Sequence, residues 1–322
     1  MLNGQRVRKS LGLRDWQAAQ RRAREMEAEG ITDVGQPVTV EKATGDFQRD
    51  AENNVKPPTL KLYRILLRRL NAFAQQHGYI FLKQLGVVQI REFRNSWTTY
   101  SPRTAGKHIE RLKRFFNFCV ENHWLDASPA KPPKVGDTDV VPFTEEEIEK
   151  ILKACDQYSG GSRARLRVLT DLMLASGLSI GDAVTISKGR IVKSASGWTV
   201  ELRRAKTGAA VACPIPNELA KSILSLDGGT PFWSGKSRME KCASNWRKIF
   251  TRVFKAAGIP DGHPHRFRHT TAKRLLIAGV AVGYVASLLG HSEGICRKHY
   301  SKWIPERQAA VDKAIRASWG QR

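Results

Sequence analysis

The sequence of 322 residues contains few cysteines, and none of them has the CxxC spacing of a paired metal or redox site. An odd number of widely separated cysteines provides neither a disulfide framework nor a thiolate zinc site. We therefore expect free thiols, a reducing cytoplasm of bacterial or phage-related origin, and no metal centre. The five cysteines are Cys119, Cys155, Cys213, Cys242 and Cys296.

Long hydrophobic runs are also missing from the sequence. The longest stretch without Lys, Arg, His, Asp or Glu covers residues 275–290, and Gly279 and Gly283 interrupt it. A helix that crosses a bilayer needs about 20 predominantly apolar residues. The N-terminus begins with charged residues rather than with an apolar signal segment. These features predict that the chain has no contact with a membrane and is not exported.

Acidic residues are scarce relative to basic ones. The chain has 54 Lys and Arg but only 30 Asp and Glu, which gives a formal net charge of +24. The excess is distributed over the whole chain, because residues 1–138 carry 24 basic and 14 acidic side chains and residues 139–322 carry 30 and 16. Such a field attracts a polyanion, and double-stranded DNA or RNA is the usual one. A basic but merely solvated surface is the alternative.

The distribution of helical patterns and breaker residues predicts three segments. A short segment, 1–36, precedes a helical region, 37–136, whose end contains a proline-rich linker, and residues 137–322 form the largest part. In the helical region, Thr59 is a candidate N-cap and Ser101-Pro102 is a second helix start. The apolar face of the first of these helices contains Tyr63, Leu66, Leu67, Leu70, Phe73 and Ala74.

The helix predicted after Ser101 has two opposite faces. Its apolar face includes Ile109, Leu112, Phe116 and Cys119. A basic stripe on the other side is suited to a helix that lies along a phosphate backbone, although an ordinary charged surface has the same pattern. The candidate DNA-binding residues of this stripe are Arg103, Lys107, Arg111 and Arg114.

The region 137–322 combines helices with a small β-sheet. Thr144 and Glu147 have capping-box spacing at a helix start. Residues 198–202 and 211–215 alternate apolar and polar side chains, and Lys206 lies between them. This pattern predicts a β-hairpin with a lysine at its tip. We therefore predict a mainly α fold with a small β-sheet, in which an all-α domain precedes an α+β domain.

A group of histidines, arginines and one tyrosine near the C-terminus suggests chemistry on a phosphodiester. The segments are His265-Arg266-Phe267-Arg268-His269, Leu289-Gly290-His291 and His299-Tyr300. A guanidinium binds two phosphate oxygens, an imidazole donates to another, and surrounding cations help a phenol to act as a nucleophile. By itself, Tyr300 could equally be a packed aromatic residue. A metal site at His263, His265 and His269 is the less favoured alternative, because no acidic or cysteine ligand is near them in the sequence.

These segments resemble the motifs of the tyrosine recombinase, or phage integrase, family. His265–Arg268 is similar to the HxxR box, residues 285–291 to the LxxxLGH segment, 299–302 to the nucleophile segment, and Lys206 to the β-hairpin lysine. The resemblance implies that Tyr300 attacks the scissile phosphate and forms a 3′-phosphotyrosyl link. It further implies that Arg268 and His265 bind non-bridging oxygens, that Lys206 protonates the 5′ oxygen, and that His291 supports the phosphate or the nucleophile.

One position departs from the family's pattern. The first catalytic arginine of the family normally follows Gly-Leu, but the segment here reads Gly177-Leu178-Ser179, and Asp182 keeps the acidic position. A neutral hydroxyl cannot provide the bidentate cation that the reaction needs, and losing such a donor costs roughly 10²–10³ in rate. We therefore predict that DNA binding survives and that cleavage is impaired. Arg203 or Arg204 could reach the site instead.

The resemblance implies a two-domain DNA clamp that performs site-specific strand exchange on a mobile element without ATP, metal or another cofactor. It also implies that segment 1–36 is the end of an arm-binding domain, 37–136 a SAM-like core-binding domain and 137–322 the catalytic domain. The expected partner is double-stranded DNA, and the protein is expected to be associated with the nucleoid. A homotetramer is expected to form on the DNA through a C-terminal helix, 309–319. Accessory DNA-bending proteins are compatible with such an assembly. The alternatives are a non-catalytic DNA-binding relative and a type IB topoisomerase-like enzyme.

Overall fold

The computed structural model of the protein describes residues 16–29, 37–133, 140–205, 207–233 and 238–304, together with positions 236, 309, 312, 315, 316 and 319. The chain divides into two compact units, Met1–Asp137 and Thr138–Arg322. Lys206 lies outside the described residues. None of the described helices is long and apolar enough to cross a membrane.

The first unit is helical. An isolated β-bridge pairs Thr39 with Phe81, and a 3₁₀ turn covers Leu82–Gln84. The helices are α1 Trp16–Glu29, α2 Val40–Asn54, α3 Pro57–Gln76, α4 Val87–Asn95 and α5 Pro102–Glu121.

Helix α3 has the apolar face that the sequence predicts, but it begins earlier than expected. All six residues of the predicted face are buried. Its N-cap is Lys56 rather than Thr59, and Pro57 is the first helical residue. Two successive prolines fix the backbone angle that a first helical turn requires, which explains why the helix starts before Thr59.

Helix α5 confirms the predicted start at Ser101. The Ser101 hydroxyl accepts a hydrogen bond from the Thr104 backbone nitrogen, and Pro102 is the first helical residue. The predicted inward-facing side chains are at most 2% exposed, and they are Ile109, Leu112, Phe116 and Cys119. The opposite face of the helix is therefore left for the basic residues.

The second unit combines helices with one three-stranded sheet, which confirms the mainly α fold class. Short 3₁₀ turns cover Lys188–Arg190 and Ser301–Trp303. The strands are β1 Ile191–Ser194, β2 Gly197–Arg203 and β3 Ala210–Ile215. The helices are α6 Glu145–Asp156, α7 Arg163–Ser176, α8 Ile180–Ala183, α9 Asn217–Ser225, α10 Met239–Ala256, α11 His265–Ile277, α12 Val282–Leu289 and α13 Glu293–Tyr300.

Two local predictions in this unit are confirmed. The Thr144 hydroxyl accepts from the Glu147 nitrogen, and the Glu147 carboxylate accepts from the Thr144 nitrogen, as a capping box requires. The sheet has the order β1-β2-β3 with antiparallel pairing, and Arg203 pairs with Ala210 next to the loop of the predicted hairpin.

Helix α11 contributes to two hydrophobic cores of the second unit. Its Phe267 packs with Phe143, Phe250 and Phe254 in the larger core, at ring-centroid distances of 5.0–5.9 Å. Further along, the helix contributes to a smaller core with α12 and α13, whose members include Ala272, Leu276, Val285, Leu289 and Tyr300. Packing on both sides fixes the polar residues of α11 that lie between these contacts.

Arg266 ties the start of α11 to α6. It is 4% exposed, donates to the Glu147 carboxylate at 2.8 Å, and lies over the Phe143 ring at 4.1 Å from the centroid. A buried guanidinium needs such a charged partner to offset its desolvation. Arg266 is therefore paired with Glu147 within the scaffold of the second unit, although its Nη1 is buried without a hydrogen-bond partner among the described residues.

Candidate active site

Arg268 joins the ends of two helices of the second unit. It is 4% exposed, and its guanidinium donates to the carbonyls of Gly177, at 3.0 Å, and Leu289. Gly177 and Gly290 end α7 and α12 with left-handed φ values of +62°. The last carbonyls of a helix have no partner within the helix, and they carry its negative dipole end. Arg268 therefore binds where α7 and α12 both present acceptors.

His291 is the side-chain neighbour of Arg268. Its Nε2 lies 2.8 Å from Nη2 of Arg268, so Nε2 accepts the hydrogen bond and the ring proton is on Nδ1. Burial, together with the charge of Arg268, lowers the pKa of His291 to about 4. Burial, followed by the charge of Arg204, lowers the pKa of Arg268 to about 10. At neutral pH the pair is thus a guanidinium cation and a neutral imidazole.

Two hydrogen-bond donors of this pair are unused. Among the described residues, Nε of Arg268 and Nδ1 of His291 are buried and have no hydrogen-bond partner. Buried polar groups in folded proteins are almost always paired, and an unpaired donor costs about 1–3 kcal/mol. Two N–H donors on a cation and a neutral ring form the arrangement that binds an oxyanion.

Tyr300 ends α13, and its hydroxyl is held by a histidine. The residue is 1% exposed, and its Oη lies 2.7 Å from Nδ1 of His269. Burial raises the pKa of Tyr300 to about 12, although the charge of Arg268 opposes this. Burial and the neighbouring His265 lower the pKa of His269 to about 3. The phenol is therefore protonated and donates to a neutral imidazole.

His265 lies one helical turn before His269 on α11. It is exposed, and the two ring centroids are 4.6 Å apart. No group of three or more His, Cys, Asp or Glu within the described stretches could hold a metal ion. His265 contributes electrostatically to the lowered pKa of both His269 and His291.

Ser179 is linked to the site through Asp182. Its hydroxyl caps α8 and donates to Oδ2 of Asp182 at 2.8 Å. The same carboxylate accepts from the backbone nitrogen of Ala205 and from Nη1 of Arg204, both at 3.1 Å. Of the two arginines that could reach the site, Arg204 is 5% exposed, whereas Arg203 is exposed and donates to the Gly208 carbonyl.

The basic stripe belongs to the first unit. Arg103, Lys107 and Arg114 are exposed and Arg111 is half-buried. Nη1 of Arg111 donates to the Lys107 carbonyl at 3.4 Å. Within the described part of that unit, none of the four forms a salt bridge, whereas cations elsewhere in it do, such as Lys42 with Asp46. The stripe is thus available to an external polyanion.

The sequence profile of the Phage integrase family matches residues 142–303, which contain every residue of the candidate active site described above. The profile of the phage integrase SAM-like domain matches residues 44–135.

The chain belongs to the phage integrase family of tyrosine recombinases.

A similar relative of this family member is the tyrosine recombinase XerC of Staphylococcus aureus (strain bovine RF122 / ET3-1). The two are 30% identical over 261 residues, which cover 74% of this chain and 84% of the relative. XerC of strain MRSA252 gives the same identity and coverage.

Solved structures of integrases have the same fold as this family member. A lambda integrase dimer bound to a COC′ core site matches with a TM-score of 0.67 at 17% identity, over 90% of this chain and 86% of that one. The Tn1549 transposon integrase in complex with a circular intermediate DNA matches with a TM-score of 0.64 at 17% identity, over 82% and 95%.

Sequence reasoning missed one functional candidate and left another undecided. His269 appeared only as a possible metal ligand, although its spacing of four residues from His265 places both on one helix face. Arg204 was one of two candidates, because the sequence does not say which side chain of the strand end turns inward. In this phage integrase family member, both residues contact the site.

The two half-buried histidines, His269 and His291, predict that this family member loses stability in acid. Unfolded histidine binds a proton near pH 6.5, whereas folded His291 and His269 do so only near pH 4 and pH 3. Between these values the unfolded state binds more protons, so the free energy of unfolding falls as the pH is lowered. We expect a loss of about 1–2 kcal/mol for each histidine between pH 7 and pH 5.

Urea denaturation at both pH values measures this effect. The double variant His269→Gln/His291→Gln should show a clearly smaller pH dependence than the parent. His77→Gln, an exposed position of the first unit, is the control and should not change it. An unchanged dependence in the double variant would contradict the prediction.

Proposed function

We propose that this family member catalyses site-specific DNA strand exchange through a covalent link to Tyr300. The Tyr300 Oη forms a bond to the scissile phosphorus, and the bond from phosphorus to the 5′ oxygen breaks. The phenolic proton leaves through the hydrogen bond to His269, and Lys206, by resemblance to the family, gives a proton to the 5′ oxygen. One phosphodiester bond replaces another, so the reaction needs no ATP. A 5′ hydroxyl then attacks the phosphorus of the phosphotyrosine and joins the exchanged strands, while the bond from phosphorus to the Tyr300 Oη breaks and the phenol regains its proton.

The observation that carries this proposal is the pair of unused donors beside Tyr300. Nε of Arg268 and Nδ1 of His291 are buried and have no hydrogen-bond partner among the described residues. The charge of Arg268 also acts on Tyr300, where it opposes the rise that burial causes in the pKa of the phenol. Preorganised donors aimed at a phosphate stabilise the charge that develops during its substitution. His265, which the resemblance assigns to the same oxygens, is near enough to influence both His269 and His291.

Covalent trapping tests the proposed function. Duplexes that the protein selects from a randomised pool would be nicked beside the cleavage position, so that the short strand diffuses away after attack. We expect a protein–DNA adduct that resists detergent. A selected duplex that is bound without an adduct would favour the non-catalytic relative. Relaxation of a supercoiled plasmid that lacks the selected site would favour a type IB topoisomerase-like enzyme.

Ser179 is the position at which we propose that the chain departs from the family's catalytic pattern. Its hydroxyl is engaged by Asp182 and carries no charge. If nothing replaced the missing guanidinium, cleavage would be lower by roughly 10²–10³. The variant Ser179→Arg tests whether this loss is present: a higher yield of covalent adduct would mean that nothing replaces the guanidinium, and an unchanged yield would mean that another residue supplies it.

We also propose that the domains act as the family resemblance implies, with segment 1–36 as part of an arm-binding domain, 37–136 as core-binding domain and 137–322 as catalytic domain. The matches to the SAM-like and integrase profiles at 44–135 and 142–303 support this division. A lambda integrase tetramer bound to a Holliday junction is among the similar structures. An apolar groove lined by Leu276, Val280, Val282 and Ile304 supports docking of a neighbouring subunit's C-terminal helix.

Removing the basic stripe should weaken DNA binding in a salt-dependent way. Each phosphate contact contributes about 0.9 to the slope of log K against log salt concentration. The triple variant Arg103→Ala/Lys107→Ala/Arg114→Ala should therefore reduce that slope by about 2–3. Binding titrations on a random-sequence duplex at several salt concentrations measure it.

A matched triple variant controls for the loss of net charge. Lys61, Arg68 and Lys83 are exposed cations of the first unit on other elements. Their replacement by alanine removes the same charge and should change the slope by less than the stripe variant does. Equal slopes for the two triple variants would show that the stripe has no special role.

A further inference from the structure

Arg204 is a buried cation for which the motifs of the sequence provide no role. It directly follows β2, and its backbone nitrogen donates to the Ala209 carbonyl at 2.9 Å at the base of the hairpin loop. The side chain is 5% exposed. Burial of a charged group costs several kcal/mol unless it is paired, so its partners should explain its position.

The partners of Arg204 place it beside Arg268. Nη1 donates to Asp182 at 3.1 Å, and Nη2 donates to the Leu288 carbonyl at 2.9 Å. The next carbonyl along the chain, that of Leu289, accepts from Arg268. Two guanidinium groups are therefore held on consecutive carbonyls at the negative end of α12.

Gly290 leaves the space that Arg204 occupies. A Cβ built on Gly290 would lie 2.7 Å from Nε of Arg204, which is closer than any ordinary contact. The left-handed φ of +62° already favours glycine at this position. The glycine of the LGH segment thus permits the approach of an arginine from the hairpin.

Arg204 also has an unused donor. Among the described residues its Nε is buried without a hydrogen-bond partner, as are Nε of Arg268 and Nδ1 of His291. Two cations on adjacent carbonyls repel each other, and Asp182 supplies only one negative charge to them. The cluster therefore has both the donors and the excess positive charge to bind an anion.

We infer that Arg204 supplies to the scissile phosphate the guanidinium that Ser179 lacks, so that the active site is complete in this chain. Asp182 keeps the acidic position of the family pattern, but it orients an arginine from the β-hairpin rather than one from the start of α8. Ser179 caps α8 and shares Oδ2 of Asp182 with Arg204. The inference rests on the proposed strand exchange and assigns a further catalytic residue to it.

Replacing Arg204 should impair cleavage much more than binding. For Arg204→Ala and Arg204→Lys we expect the rate of adduct formation on the nicked duplex to fall by roughly 10²–10³. Equilibrium binding of the same duplex should change by less than about tenfold, because one of many phosphate contacts is lost. Arg203→Ala, the exposed neighbour, is the control and should retain the parent rate. An Arg204→Ala rate equal to that of the parent would overturn the inference.

A change in the substrate separates contact with the phosphate from a structural role. In a methylphosphonate, a neutral methyl group replaces one charged non-bridging oxygen at the scissile position. If Arg204 neutralises that charge, the loss in both Arg204 variants relative to the parent should shrink by at least tenfold on this substrate. A purely structural role would give the same loss on both substrates, and this result would overturn the inference. The lysine variant keeps the test valid if the alanine variant unfolds.

Ser179→Arg distinguishes failure of the inference from failure of the proposed function. We expect no gain from Ser179→Arg alone and partial recovery of the rate when it is added to Arg204→Ala. An adduct that forms with Ser179→Arg but not with the parent would overturn the inference and leave the proposed function standing. If neither the parent nor Ser179→Arg forms an adduct on a duplex that both proteins bind, the inference and the proposed function are both overturned.

Discussion

Replacing Tyr300 with phenylalanine will abolish the covalent protein–DNA adduct and leave DNA binding intact. In the proposed reaction this hydroxyl forms the bond to phosphorus, and the phenylalanine ring fills the same buried space. We expect the adduct to fall below detection, whereas the dissociation constant on the selected duplex should change by less than about tenfold, since one neutral hydroxyl contributes about 0.5–1.5 kcal/mol at most. Gel analysis under denaturing conditions and binding titration measure the two effects.

A second tyrosine provides the matched control. Tyr284 is 75% exposed on α12. Tyr284→Phe removes the same atom and should leave the adduct yield unchanged. Loss of the Tyr300 hydroxyl also leaves Nδ1 of His269 without its donor, so Tyr300→Phe should lower the free energy of unfolding by about 1–3 kcal/mol. An adduct that persists in Tyr300→Phe would show that another group is the nucleophile.

The features that the sequence predicts correctly depend on neighbouring residues. The capping box of Thr144 and Glu147, the Ser101-Pro102 helix start and the alternation in the hairpin are each complete within a few residues. Thr59 fails as an N-cap for an equally local reason, because the preceding pair of prolines starts the helix first. Burial of the apolar faces follows from the same helical period.

The features that the sequence could not predict depend on contacts between distant segments. Asp182 and the Leu288 carbonyl are 22 and 84 residues from Arg204 in the chain, and only the folded unit brings all three together. The hydrogen bond between His269 and Tyr300 joins residues 31 positions apart. In both cases the chemical type of the side chain was visible, but its direction was set by packing around α11 and α12.

The burial of Tyr300 has a consequence for the reaction. The phenol is protonated and bonded to His269, and a side chain that is 1% exposed cannot reach a phosphate outside the unit. For the proposed reaction we therefore expect the end of α13 to move, so that the Tyr300 Oη turns towards the bound DNA once its proton has passed to His269.

Replacing Arg268 with lysine will produce the second largest loss of cleavage. One ammonium group cannot reproduce the planar guanidinium, which donates to the carbonyls of Gly177 and Leu289 and to His291 while a further N–H remains for the phosphate. We expect the rate of adduct formation to fall by roughly 10²–10³ or more. Alanine at this position leaves two buried carbonyls unpaired and should also cost about 1–3 kcal/mol for each of them.

Arg266→Lys separates the catalytic effect of Arg268→Lys from its structural effect. Arg266 has the same burial as Arg268, at 4% exposure, and lies two residues earlier on α11. Its partners are the Glu147 carboxylate, the Val141 and Pro142 carbonyls and the Phe143 ring. Both lysine variants should lower the melting temperature, but at a temperature where both are folded only Arg268→Lys should slow cleavage. Equal rates in the two variants would mean that Arg268 acts only as a structural brace for α7 and α12, and that the phosphate binds elsewhere.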